Sequence, residues 1–514
     1  MTIEALPRGD NPIRSEGITR GADGISRYDD LPQSLVHVLR QHAESTPDAE
    51  AIVEVGGSRI SYADLWRRAS RVAGGLKEAG VTSGDRAAIL TPAGNDWVVA
   101  FFGCLLAGAV AVPINTRFAE PEVQYVLDDS GARFVFRAGE PLPDGEPYLA
   151  PDPQLDTLAA IFYTSGTTGA PKGALTTHEG FLSNCENMIR GLSLPADVGA
   201  DLRTLISVPL FHVTGCNSQL LVTIYTGGTS VILPALDLGV LLETIPYERI
   251  NFLVTVPAVY QLLIGHPQFV DTDTSPVRWI GYGGAPIAPD LVHRIKAAFP
   301  QAVVANGFGM TESASLMTTL PDRYAAEHAD SVGFVVPVDD IALHEPDPDT
   351  GVGELLVKGP NVTASYWNKP EQTAAAFLDG WLRTGDLARV DPSGLVYIVD
   401  RAKDLINRGG ENVYSFEVEN ALAAAPGIGE VAVVGVPDEV MGEKVGAVVV
   451  PAPGSAEDPA AIVAYLQGKI ADFKIPQYIQ YRREPLPRNP GGKVVKPALR
   501  AELGDKEKWG KPLR

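Results

Sequence analysis

Cysteine is scarce in this chain: Cys104, Cys185 and Cys216 stand widely spaced, three among 514 residues. An odd, scattered set excludes a disulfide framework, offers no metal-ligand spacing and fits a reducing cytoplasm. Positive charge is also short, with 42 Lys and Arg against 63 Asp and Glu and a net charge of −21. Such a field disfavours nonspecific attachment to nucleic acid or an anionic membrane. The deficit is uneven. From Asp404 onward 14 basic residues meet 15 acidic ones, and Arg482, Arg483, Arg488, Lys493, Lys496 and Arg500 form a locally basic stretch. That stretch reads as a solvated charge run or as a surface for an anionic nucleotide. The first residues carry Glu4, Arg8, Asp10 and Arg14 with prolines and lack the apolar core of a signal peptide. Internal repeats and long low-complexity tracts are missing as well. One run resembles a membrane span, the eighteen uncharged residues Trp97 to Ile114. Gly103, Gly108 and Pro113 interrupt it, so it reads as a buried helix turning at Gly108 into a buried strand.

Hydrophobic residues at 45% with 20% charged make an ordinary globular composition, and the length allows two or more domains. Residues 1–30 are polar, with glycine and proline, and read as a loose arm. From Leu35 helical and strand-like segments alternate: a helix from Ser61 to about Ala79, strands at Arg86–Leu90 and Arg133–Phe136, a helix around Val123–Leu127. Pro141–Pro153 is a linker. Further strands follow at Thr204–Val208, Thr229–Leu233, Phe252–Val256 and Trp279–Tyr282, a pattern of parallel α/β layers. Punctuation changes at Pro337–Glu354 and predicts a β-rich subdomain. Beyond Asp400 a compact unit alternates helix Ser415–Ala424, strands Glu430–Gly435 and Lys444–Val450, helix Pro459–Ala471 and strand Ile479–Tyr481. The expected class is α/β: a large domain of layered α/β subdomains plus a β-rich subdomain (31–402), and a small mobile α+β domain (403–514).

Residues 163–174 read Tyr-Thr-Ser-Gly-Thr-Thr-Gly-Ala-Pro-Lys-Gly-Ala, after an apolar approach from Leu158. Glycines admit backbone N–H groups close to a polyanion, hydroxyls donate further bonds, and Lys172 adds charge. The loop therefore reads as a phosphate cradle built from Thr164, Ser165, Gly166, Thr167, Thr168, Gly169 and Lys172. It lacks the Walker spacing. The string resembles the signature loop of the adenylate-forming enzymes: acyl- and aryl-CoA synthetases, peptide-synthetase adenylation domains and luciferases.

Several further segments resemble that family in family order. Asn306-Gly-Phe-Gly-Met-Thr-Glu-Ser313 resembles its aromatic-Gly-x-Thr-Glu motif, with Phe308 where tyrosine is usual. The resemblance implies that Phe308 covers adenine, Thr311 meets the α-phosphate and Glu312 ligates Mg²⁺, with Gly307, Gly309 and Met310 around them. Gly284, Ala285 and Pro286 belong to a similar nucleotide-side segment. Gly380-Trp-Leu-Arg-Thr-Gly-Asp386 and Asp400-Arg401 imply a ribose held by Asp386 and Arg401. The stretch from Asp400 to Asn412 resembles the crossover between domains, with Lys403 at the hinge and Gly409, Gly410 and Glu411 beside the pantetheine arm. Ser415 stands where proline is common. Pro487-Arg-Asn-Pro-Gly-Gly-Lys493 resembles the loop that delivers the adenylation lysine. The resemblance covers the chain after its first thirty residues, with a short segment at Arg137–Ala160 where relatives are often longer.

What the resemblance implies is an ATP-dependent acyl-CoA synthetase using Mg²⁺ and coenzyme A. A carboxylate takes AMP from ATP, pyrophosphate leaves, and a thiol displaces AMP. His212 is expected in the acyl site, in a pocket with Phe181, Val213, Thr214, Val254, Gly284, Gly307, Gly309 and Ser315. Amino-acid-activating relatives carry an aspartate near position 212, so His212 disfavours an amino-acid substrate. The expected acid is a fatty acid; the alternatives are a benzoate-type aryl acid and, ranked below it, a stand-alone adenylation enzyme for an amino acid or other carboxylate. The expected partners are the acid, ATP and CoA, without nucleic acid or membrane span, in a cytoplasmic monomer or homodimer.

Overall fold

The structure, a computed structural model, describes residues 3–164, 171–195, 197–285, 287, 289–409, 411–488, 494–503, 506–510 and 512–513. Two sheets sandwich a layer of helices. The larger, nine-stranded among the described residues, is parallel through its centre, where Arg203–Ile206, Phe252–Thr255, Trp279–Gly283 and Val303–Phe308 lie in register. The second sheet runs Phe134–Arg137, Arg86–Leu90, Val110–Pro113, Leu158–Thr164, Lys172–Thr177, parallel except for the last pair.

Alternation along the strands sorts side chains between cores, because successive residues point to opposite faces. Ile52, Ile206 and Phe252 of one sheet and Ala87, Ile89 and Phe162 of the other meet in the inter-sheet core. Their neighbours Val53, Leu205 and Leu253 face an outer helical layer, and Ala88, Val112 and Ile161 face another. The inner layer is centred on helix Asn95–Leu106, in which every residue but Asp96 is buried. That explains the uncharged run: the helix ends before Gly108, whose φ of 71° suits glycine, and Val110–Pro113 continues as a fully buried strand. Among the described residues no helix is long and apolar enough to cross a membrane. The α/β class is therefore as expected.

The β-rich part follows as an antiparallel sheet of Asp340–His344, Gly353–Lys358, Phe377–Leu378, Trp381–Val390 and Val396–Arg401. A further sheet, with Ile428–Asp438 against Gly442–Pro451 as its long hairpin and helix Ser415–Ala423 packed on it, builds the C-terminal unit. Helix Pro459–Leu466 is shorter than its pattern predicted, since Gly468 takes φ 74° and the chain turns.

Residues 3–30 are not a loose arm. Ile18–Arg20 and Ser26–Tyr28 pair as a hairpin. Arg8 donates to the Val336 and Asp339 carbonyls, and Asn11 to Val335. Arg20 pairs with Asp340 at 2.8 Å, and buried Tyr28 donates to Asn187. The Pro141–Pro153 linker is likewise strapped over helix Tyr62–Glu78, through Gly145 N–H to Arg71 and Tyr148 N–H to Ser70, and reaches the end of helix Asn95–Leu106 through Ala150 N–H to Leu106.

At one edge of the large sheet Arg59 and Arg203 share Glu50 and Glu248, with Arg203 2.5 Å from Glu248 and 3.0 Å from Glu50. Hydrogen bonds from Arg59 hold both carboxyls low, Glu50 at about 2. Carboxyls depressed in the fold contribute stability above their unfolded pKa near 4.5, and lose it as pH falls through the folded value. The melting-temperature advantage of the native protein over Glu248→Gln should therefore be full above about pH 5 and shrink between about pH 4.5 and 2. Differential scanning fluorimetry across that range checks it; a gap independent of pH would refute the ion-pair account.

Candidate active site

A cavity of about 1670 Å³ opens where the two α/β sheets, the β-rich sheet and the C-terminal unit meet. Thr164 and Lys172, the two residues that close the hairpin Leu158–Thr164/Lys172–Thr177, lie opposite one another in register and both line it. Ser165, Gly166, Thr167, Thr168 and Gly169 between them lie outside the described residues, as do Pro286, Gly410 and Lys493.

Strand Val303–Phe308 ends at the cavity and hands over to a short turn, Thr311–Ser313. Gly307, Gly309, Met310, Thr311 and Glu312 line the cavity. Gly309 is demanded by packing: a Cβ there would stand 1.6 Å from the Ser315 carbonyl oxygen. Phe308 is not among the lining residues; its ring is half-buried beside Met317, Val335 and Ile341.

Glu312 is buried, and its Oε1 accepts a 2.8 Å bond from the Tyr366 hydroxyl. Oε2 has no hydrogen-bond partner among the described residues. Lys172 Nζ sits over the same tyrosine ring, 5.0 Å from its centre. Tyr366 thus bridges the phosphate-loop lysine and the acidic residue, and burial together with the Glu312 charge pushes its phenol pKa up, keeping it a donor. Nothing in the sequence pattern marks Tyr366. An isolated bridge to Ala174 and the bond from Trp367 N–H to Gly173 carry it there from the β-rich region.

The described residues hold no cluster of three or more His, Cys, Asp or Glu able to cage a metal. A single buried carboxylate with one unengaged oxygen suits Mg²⁺, which takes one or two protein carboxylates and completes its shell with phosphates and water.

Asp386 and Arg401 face each other across antiparallel strands, Nε to Oδ1 2.6 Å, with Asp386 only 4% exposed. Arg401 and Lys403 line the cavity, as do Thr384 and Gly385 beside Asp386. Burial draws the Lys403 ammonium pKa below its usual value. From the C-terminal unit, Val494, Val495, Lys496 and Pro497 reach the same cavity. Gly409 and Glu411 do not. They belong to the tight hairpin Ile406–Arg408/Glu411–Val413, where Gly409 has φ 63° and its N–H donates to Met441.

On the other side of the cavity His212 caps the turn Val213–Gly215; its Nδ1 accepts from Thr214 N–H at 3.2 Å, which places the neutral ring's proton on Nε2. His212, Val213, Thr214, Val254, Gly284, Gly307, Gly309 and Ser315 all line the cavity. Phe181 does not. It is fully buried, its ring edge-on to Phe101 and Phe162 at 6.2 Å, and belongs to the inter-sheet core. Ala285 is exposed beyond the lining. Ser218, which no local pattern singled out, stands in the wall beside Ser315.

Residues 39–367 match the AMP-binding enzyme family, and residues 417–493 match the AMP-binding enzyme C-terminal domain. The chain is 38% identical to a feruloyl-CoA synthase from an Amycolatopsis species, over 90% of this chain and 98% of that one. It is 35% identical to the long-chain-fatty-acid–CoA ligase FadD13 of Mycobacterium tuberculosis, over 90% and 97%. In fold it is similar to o-succinylbenzoate CoA synthetase from Bacillus subtilis, solved with its acyl-adenylate: TM-score 0.82, 29% identity, covering 91% of this chain and 98% of that one. A family match over well more than half the sequence means that the chain belongs to the AMP-binding enzyme family, as an ATP-dependent acid–thiol ligase of the AMP-forming kind.

Proposed function

We propose that this enzyme converts an aryl or long aliphatic carboxylic acid into its CoA thioester through an acyl-adenylate, with residues in the following roles. The acid's carboxylate oxygen attacks the α-phosphorus of ATP, the bond to the β-phosphate breaks, and pyrophosphate leaves. A thiolate sulfur then attacks the acyl carbon and AMP departs. Neither step needs a side-chain nucleophile, so positioning and charge stabilisation carry the rate. Thr164, Lys172 and the loop between them hold the phosphates, and Thr311 meets the α-phosphate. Glu312, oriented by Tyr366, would hold Mg²⁺, which when bound offsets charge on the phosphates. Asp386 accepts from the ribose hydroxyls and Arg401 holds Asp386 in place. His212 presents Nε2–H to the acid. Lys493 serves the first step, and the hairpin of Gly409, Gly410 and Glu411 serves the second after the 403–514 unit turns about Lys403.

The observation that carries this reading is the convergence of Thr164, Lys172, Thr311, Glu312, Arg401 and His212 on one cavity. The aryl reading is supported by the 38% relative, the aliphatic one by the 35% relative and the apolar wall of Met188, Leu192, Val254 and Leu316. A panel of C2 to C18 acids, benzoates and cinnamates, read by pyrophosphate and by CoA-dependent AMP release, decides between them. Pyrophosphate release with no acid would refute the scheme. In the same assays Asp386→Ala should raise the KM for ATP roughly ten- to a hundredfold, since a charged hydrogen bond is worth about 1.5–3 kcal/mol. An unchanged KM for ATP would reduce Asp386 to a partner of Arg401.

A further inference from the structure

Beside His212 and Thr214, the acyl side of the cavity carries a pair of hydroxyls, Ser218 and Ser315, whose oxygens stand 2.7 Å apart although 97 residues separate them in sequence. Their positions are built. Ser218 lies in a π-helical turn, Cys216–Leu220, a widened coil associated with functional sites. Ser315 has φ 130°, and Ala314 before it φ 53°, conformations that residues with a Cβ avoid. Buried asparagines hold that backbone: Asn217 donates to the Ala314 carbonyl at 2.8 Å, Asn184 accepts from Leu316 N–H at 3.1 Å and donates to the Asn217 carbonyl, and Asn361 donates to the Ser313 and Leu316 carbonyls. Strain sustained by so many contacts, at a ligand-facing position, marks a site where geometry serves function.

Two hydroxyls offer two donors, and their mutual bond spends one. The second O–H has no partner among the described residues, and both side chains face the cavity. We propose that the Ser218–Ser315 pair is a specificity element that reads an oxygen, a hydroxyl or carbonyl, carried by the acyl group remote from its carboxylate. The favoured substrates are then oxygen-bearing acids over hydrocarbon acids of the same length. This rests on the acyl-CoA ligase reading above. A site built to hydrogen-bond a substrate group discriminates against the analogue that lacks it, because its own polar atoms are then left unpaired.

The test uses the full-length enzyme and matched acids: 3-phenylpropanoate against 3-(4-hydroxyphenyl)propanoate, and octanoate against 8-hydroxyoctanoate. CoA-dependent AMP formation gives kcat/KM for each. The oxygen-bearing member of at least one pair should be preferred about tenfold or more. Ser218→Ala should bring that ratio close to one, with the loss falling on the oxygen-bearing acid. Ser315→Gly should do the same, and it removes the hydroxyl while accepting φ 130° without strain. A wild-type ratio near one in both pairs, or a preference that survives both substitutions, overturns this inference and leaves the ligase reading standing. Loss of both acids in equal proportion would make the serines structural and overturn it too. No AMP formation with any acid overturns both readings.

Discussion

Lys493→Ala is expected to slow acyl-adenylate formation at least about a hundredfold while thioester formation from supplied acyl-AMP falls far less. One charged donor at a developing oxyanion is worth about 3 kcal/mol, which sets that size. The lysine is expected at the site because its neighbours are: Val494 pairs with Arg488, Val495 N–H donates to the Pro487 carbonyl, and Val494 to Pro497 line the cavity. Lys496, in the same segment, is a poor candidate for the role. Its ammonium is 2.8 Å from Glu419 and 2.6 Å from the Ser415 hydroxyl, so its charge and two of its three donors are committed. Pyrophosphate exchange and acyl-AMP consumption, measured on one preparation, separate the two steps. Equal loss in both would remove Lys493 from the first half-reaction.

The sequence was legible where physics is local. Strand Arg86–Leu90 and the helix-to-strand turn at Gly108 follow from apolar runs and a glycine, and the structure has them at those positions. The phosphate-loop string stands out by its composition, whereas the Thr-Glu turn and the Asp386/Arg401 pair are legible only through the resemblance to the family. Contacts made across long separations left no such mark. Tyr366 reaches Glu312 over 54 residues, and the polar N-terminal segment read as an arm because the carbonyls that hold it, Val335, Val336 and Asp339, lie over 300 residues away. Phe181 was misassigned for a related reason. Helix His178–Gly191 buries residues on most of its surface, and a motif position does not say which face meets the cavity.

Lys403→Pro is expected to retain pyrophosphate exchange with ATP and acid and to lose CoA-dependent turnover. Strand Val396–Arg401 ends immediately before it; Ala402 N–H still donates to Gly385, and the amides of Asp404 and Leu405 turn back onto the Arg401 carbonyl. A proline would fix φ near −65° at 403 and confine residue 402 to extended conformations, locking the linkage on which the proposed movement of the C-terminal unit turns. The present orientation has its own ties. The Asp400 carboxylate accepts from the Ser415 hydroxyl at 2.9 Å and from the Ser415 N–H, and Arg500 pairs with Asp404 at 3.0 Å. A proline at 415, common in relatives, would supply neither donor, so both of these bonds would be lost with it. A variant locked at 403 should therefore be locked here, competent for adenylation and unable to bring the Gly409 hairpin to the adenylate. Parallel assays of the two half-reactions with a melting curve decide the matter. If both fall together with a lowered melting temperature, the proline has only damaged a turn; if acyl-CoA forms at the wild-type rate, the boundary between the moving units lies elsewhere.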